Sequence, residues 1–198
     1  VAKIAGIPGV RDVGLTTNGI LLAPVARALW DAGLRRINVS LDTLNPEKFR
    51  RLTRWGAVED VWAGIQAAEE AGIVPVKLNA VVVSGYNESD VVDLARLTKD
   101  HPWQVRFIEM MPFAGATELQ LKQVVTAAEI QAQIEAIHGP LQIANDGALD
   151  GEARLFHLPG AQGDVGFISS VTEPFCAACT RARLTADARV NYVMQLRR

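Results

Sequence analysis

Apolar positions in the first half of the chain recur with two periods, every second residue over short runs and every third or fourth over longer ones. Residues 12–17 read as a strand closed by Asn18-Gly19, and Leu22, Val25, Leu29 and Trp30 then mark one face of a helix ended by Gly33. The order repeats. Residues 36–41 form a second strand, followed by helical pieces over 46–54 and 58–71 with Gly72 as the stop. A third strand is expected over 74–83, a helix opened by Asn87 runs to about Lys99, and residues 104–111 make a fourth strand that Pro112 closes. Strands alternating with helices in this way predict an α/β protein built of βα units around a parallel sheet or barrel.

Beyond Phe113 the pattern changes, dividing the chain into an α/β region over 1–113 and an α+β extension over 114–198. Residues 114–122 read as a connecting loop. Thr126 with Glu129 resembles a capping box, and Ile130, Ile134 and Ile137 form the expected buried stripe of a helix stopped by Gly139-Pro140. Residues 141–144, 153–158 and 165–171 read as short strands of a meander, with turns at Asn145-Asp146-Gly147 and Pro159-Gly160.

Composition narrows the function classes. The 198 residues are 49% hydrophobic and 21% charged, and 20 basic against 22 acidic side chains give a net charge of −2. That balance offers no general attraction to nucleic acid or to an anionic membrane, so neither is an expected partner and any phosphate binding must be local. No apolar run approaches the roughly 18 residues of a membrane span, and the opening residues lack the organisation of a secretory leader. With only two cysteines, the expectation is a cytoplasmic protein. Neither a Walker phosphate loop nor a GxGxxG fingerprint occurs, so phosphate recognition would use side chains.

Those two cysteines, Cys176 and Cys179, have metal-clamp spacing and stand beside Arg181 and Arg183. Thiolates select zinc, copper(I) or iron–sulfur centres, and guanidinium groups one residue apart on an extended segment would point toward the same anionic ligand. The pair also suits buried free thiols, a redox disulfide or half of a zinc site. In a parallel α/β fold ligand-facing groups cluster at the carboxyl ends of the strands. Candidates there are Thr16 and Thr17, Ser40 and Asp42, Lys77 and Asn79 within an otherwise apolar run, and Arg106, Glu109 and Met111.

Five segments, in order and spacing, resemble the GTP 3′,8-cyclase family, the radical S-adenosylmethionine enzymes of molybdenum cofactor biosynthesis. They are Leu15-Thr16-Thr17-Asn18-Gly19, Leu34-Arg35-Arg36-Ile37-Asn38-Val39-Ser40-Leu41-Asp42, Val76-Lys77-Leu78-Asn79, Val105-Arg106-Phe107-Ile108-Glu109-Met110-Met111-Pro112 and Phe175-Cys176-Ala177-Ala178-Cys179-Thr180-Arg181-Ala182-Arg183-Leu184. The resemblance implies a partial, TIM-like radical SAM barrel holding one [4Fe–4S] cluster with S-adenosylmethionine, and a carboxyl-terminal extension whose second [4Fe–4S] cluster binds GTP. A 5′-deoxyadenosyl radical would abstract the ribose 3′ hydrogen of GTP, after which C3′ bonds to guanine C8, giving 3′,8-cyclo-7,8-dihydro-GTP. Confinement would matter, because a primary radical must meet one C–H bond before any other. By the same resemblance Cys176 and Cys179 are cluster ligands, Thr16, Lys77, Arg181 and Arg183 contact GTP with Arg106 as a further candidate, and Ser40 and Met111 contact S-adenosylmethionine. An electron donor is an implied partner, and a homodimer is compatible with the family.

The departures from the family carry their own expectations. The Cys-x3-Cys-x2-Cys motif of the first cluster is absent, Val193 stands where a third ligand of the second cluster is expected, and Ala188 replaces an expected glycine. These features predict a fragment or truncated relative that cannot generate the radical by itself, with an exposed sheet edge and apolar surface. A noncatalytic zinc-binding or GTP-binding α/β module is the alternative.

Overall fold

A computed structural model describes residues 1–111, 124–173 and 182–192. In chain order the elements are α1 (Ala2–Ala5), β1 (Gly14–Thr17), α2 (Ala26–Asp31), β2 (Arg36–Ser40), α3 (Pro46–Thr53), α4 (Val58–Ala71), β3 (Val76–Val82), α5 (Val91–Asp100) and β4 (Gln104–Glu109). They continue with α6 (Ala127–His138), β5 (Gln142–Ile143), β6 (Leu149–Asp150), β7 (Ala153–His157), β8 (Asp164–Ile168), β9 (Ala182–Leu184) and β10 (Val190–Tyr192).

The helix boundaries follow from local chemistry. Asn45 accepts from the Glu47 and Lys48 N–H groups at 2.9 and 3.0 Å and so starts α3 with Pro46 in its first turn. Gly72, at φ 90°, ends α4 as the sequence predicts. Thr126 and Glu129 form the expected capping box of α6. The buried stripe on α6 differs from expectation. Ile130 and Ile134 are buried but Ile137 is 67% exposed, because the inward face continues at a spacing of four to His138, whose Nε2 lies 3.0 Å from the Val92 carbonyl.

Strands β1, β2, β3, β4 and β8 pair in parallel in that spatial order; antiparallel β7 follows, carrying β5 and β6. Residues 165–171 were expected in a meander. Instead β8 joins β4 as the fifth parallel strand, and the connection between them contains α6, as a parallel crossover requires. The result is an incomplete TIM-like barrel of α/β class with an α+β continuation. Strand β1 has a partner on one side only among the described residues, the exposed edge the sequence anticipates.

One sheet face packs against the helices through Ile37, Val39, Leu78, Ala80, Val82, Val105, Phe107, Val165 and Phe167, which join buried Val61, Ile65 and Leu94 in the main core. Helix α4 lies so close to the turn after β1 that a Cβ on Gly64 would stand 2.5 Å from the Gly19 carbonyl oxygen. Alternation sends every second side chain of these strands to the opposite, lumen face. No helix among the described residues is long and apolar enough to cross a membrane.

Candidate functional site

Strand register stacks the lumen side chains in two layers. Thr16, Asn38, Lys77 and Gln104 occupy neighbouring positions across β1 to β4, and Ser40, Asn79 and Arg106 occupy the next layer, continued by Gly166 on β8. Thus five sequence candidates, Thr16, Ser40, Lys77, Asn79 and Arg106, share one face. Lys77 sits nearer the amino end of β3 than its carboxyl end, so the polar groups line the lumen as well as its rim.

Lys77 and Arg106 are each about 5% exposed, a burial that is costly for a cation unless an anion accompanies it. The anion is Asp150, at the end of β6. Its Oδ2 accepts from Lys77 Nζ at 2.6 Å and from Arg106 Nη2 at 3.1 Å, while Arg106 Nη2 also donates to Gln104 Oε1 at 2.9 Å. Burial pushes the Asp150 pKa up, but the hydrogen bond from Lys77 and the charges of Lys77 and Arg106 outweigh it and leave the group below its ordinary value. Burial lowers the pKa of Lys77, opposed by Asp150 and assisted by the neighbouring charges of Arg106 and Arg36.

Glycine at 166 gives Arg106 its space, since a Cβ there would lie 3.0 Å from Arg106 Cγ. Among the described residues Arg106 Nε and Asn79 Oδ1 are buried with no hydrogen-bond partner. Among the described residues, two buried cations meeting one carboxylate leave a surplus of positive charge, with one unused donor and one unused acceptor beside it. Such a face can attract an anion that also hydrogen-bonds.

The other candidates stand outside the Lys77–Arg106–Asp150 cluster. Thr16 accepts from Asn38 Nδ2 at 3.2 Å, Ser40 is exposed at the end of β2, and Met111 is 60% exposed just beyond β4. Glu109 faces the helices instead of the lumen. It accepts from the backbone N–H groups of Ala127, Val171 and Thr172, each at 2.9 Å, and from the Thr172 hydroxyl at 2.5 Å. Burial raises its pKa, but these four bonds prevail and lower it. Asp42, raised by burial against a hydrogen bond from the Val81 N–H, organises the loop beyond β3 together with Asn87.

Arg183 is exposed on β9, which pairs with β10 as a separate two-stranded sheet. Cys176, Cys179 and Arg181, together with Val193, lie outside the described residues. Among the described residues no cluster of three or more His, Cys, Asp or Glu could hold a metal ion. Ala188 adopts φ 61° in the turn between β9 and β10, a left-handed conformation that explains the expectation of glycine there.

Sequence reasoning missed Asp150, Asn38 and Gln104. The signal for Asp150 was indirect: a lysine in an apolar strand demands a counter-charge, and Asp150-Gly151 is a hairpin-forming pair.

Two family models match the chain, the radical SAM superfamily over residues 1–98 and Molybdenum Cofactor Synthesis C over residues 103–193. The chain is 47% identical over 187 residues to a GTP 3′,8-cyclase of Pelotomaculum thermopropionicum, covering 94% of this chain and 58% of that protein. It is 44% identical over 191 residues to a GTP 3′,8-cyclase of Moorella thermoacetica, covering 96% and 58% respectively. The chain therefore spans a little under three fifths of these curated relatives. A crystal structure of a radical SAM methyltransferase from Sphaerobacter thermophilus aligns with a TM-score of 0.47 and 22% identity, over 63% of this chain and 36% of that one.

Proposed function

Because the chain belongs to the GTP 3′,8-cyclase family of radical S-adenosylmethionine proteins, we propose that it serves molybdenum cofactor biosynthesis by holding GTP against the lumen face of its parallel strands. The observation that carries this reading is the buried pair Lys77 and Arg106 with its positive surplus. Arg106 Nε and Asn79 Oδ1, without partners among the described residues, fit a ligand that offers both acceptors and donors, as a guanine nucleotide does.

In this reading Thr16, Lys77 and Arg106 contact GTP from the strands, Arg181 and Arg183 contact it from the extension, and Ser40 and Met111 contact S-adenosylmethionine. Cys176 and Cys179 are ligands of a [4Fe–4S] cluster, for which a thiolate pair is the right donor chemistry. When bound, the cluster and S-adenosylmethionine supply the radical chemistry of the family. This chain's own residues bind, orient and neutralise the substrate, with Lys77 and Arg106 offsetting phosphate charge and Ser40 offering a hydroxyl at the strand end. The proposal includes division into regions 1–113 and 114–198, an external electron donor, a cytoplasmic setting and a homodimer.

Titration of the chain with GTP tests the site. Lys77→Met and Arg106→Gln are each expected to weaken binding by tenfold or more, about 1.4 kcal/mol or above. Unchanged affinity in both variants would overturn the lumen assignment. Metal analysis after anaerobic reconstitution tests the thiolate pair: iron with sulfide supports the cluster, whereas stoichiometric zinc supports a noncatalytic module. With only two cysteines in 198 residues, the chain assayed alone should form no 5′-deoxyadenosine.

A further inference from the structure

Asp150 is held unlike an ordinary salt-bridge partner. Lys77 Nζ and Arg106 Nη2 converge on the same atom, Oδ2, leaving Arg106 Nε buried without a partner among the described residues. A guanidinium presents its donors as a planar fork suited to bidentate anions, and Asp150 engages only part of it. The Asp150 side chain is 32% exposed, whereas those of Lys77 and Arg106 are 6% and 7% exposed. It therefore approaches the cations from the solvent side. Its strand, β6, pairs with β7 over only Leu149 and Asp150, so little backbone structure ties the carboxylate down.

We propose that Asp150 is a built-in stand-in anion, which neutralises Lys77 and Arg106 in the free protein and is displaced when a ligand phosphate takes both cations. This rests on the reading of Lys77 and Arg106 as phosphate-facing groups and adds an internal competitor to it. Without the carboxylate, two buried cations would repel each other in the free protein, with Arg36 adding to the repulsion. With it, the free site is stable, and every ligand that claims the pair must first break the same two contacts.

Displacement has a quantitative signature. An intramolecular competitor weakens all ligands that displace it by one common factor, whereas a carboxylate that remained in place and repelled its neighbour would weaken them in proportion to their charge. The experiment measures dissociation constants of inorganic pyrophosphate, inorganic tripolyphosphate, GTP and guanosine for the 198-residue chain and for Asp150→Asn. Removing the carboxylate should tighten the three phosphates by the same factor, about tenfold, and leave guanosine unchanged. Asp150→Ser provides a second reading, with circular dichroism to establish that each variant is folded. Salt titration of both variants separates local displacement from long-range repulsion.

No gain in either folded variant would overturn the proposal, as would a gain graded with ligand charge. The site reading fails separately: if Lys77→Met and Arg106→Gln leave tripolyphosphate binding unchanged, these are not the phosphate groups. If those changes weaken binding while Asp150→Asn gives no gain, the site stands and the internal competitor is refuted.

Discussion

Glu109 and Asp150 are carboxylates on opposite faces of the sheet, the first 1% exposed and the second with a side chain 32% exposed, and the two faces treat their charges differently. Glu109, on the helix side, receives three backbone N–H groups and a hydroxyl. Those bonds tie β4 to the start of α6 and to the segment after β8, and every donor belongs to the chain. Asp150, on the lumen side, answers two cations with a single oxygen, while Arg106 Nε and Asn79 Oδ1 find no partner among the described residues. A completely satisfied buried charge fixes structure. A partly satisfied one leaves chemistry available for a ligand.

The largest expected effect tests the structural half of this contrast. Glu109→Gln turns an acceptor oxygen into a donor facing N–H groups, and should cost about 3 kcal/mol of stability in urea denaturation with unchanged GTP affinity in the folded protein. A comparable loss of GTP affinity would erase the distinction between the two faces. Lys77→Met reverses the pattern: roughly thirtyfold weaker GTP binding, but a stability change below about 1.5 kcal/mol because desolvation is relieved and Asp150 can hydrate.

Acid sharpens the comparison further. Both carboxylates have depressed pKa values in the folded chain, so the stability they contribute is present above the unfolded value near 4 and lost as pH falls through the lower folded values. Stability measured from pH 6 down to pH 2 should fall below about pH 4. Glu109→Gln should flatten that fall more than Asp150→Asn does. The smallest effect concerns the unpaired acceptor: Asn79→Leu should be stabilising by up to about 1 kcal/mol, since it removes a buried acceptor with no partner among the described residues, and if the proposed site holds nucleotide it should also weaken that complex.

Much of the fold was legible because its signals are local. Asn45, Gly72 and the Thr126–Glu129 box mark helix ends within a few residues, and the two-residue period of 36–41 and 104–111 separates the sheet faces. That period also placed Glu109 on the side of Val105 and Phe107, away from Arg106, a distinction that grouping it with the other strand-end residues overlooked. The partner of β8 could not be read in this way. An apolar run over 165–171 is equally suited to a meander or to a parallel pairing with β4, about 60 residues earlier in sequence. Asp150 was hidden for the same reason, because a buried lysine announces a counter-charge without saying which carboxylate, here 73 positions distant, provides it. Ala188 shows the opposite case: a departure from family pattern marked a position whose backbone requires φ 61°.

The two family models meet between residues 98 and 103, immediately before β4. Yet β4 is hydrogen-bonded to β3 on one side and to β8 on the other. The inherited seam is therefore not a mechanical joint: the halves cannot swing apart there without tearing rungs from a shared ladder. Lys77 before the seam and Arg106 after it are kept at a nearly constant span, like two jaws cast in one piece.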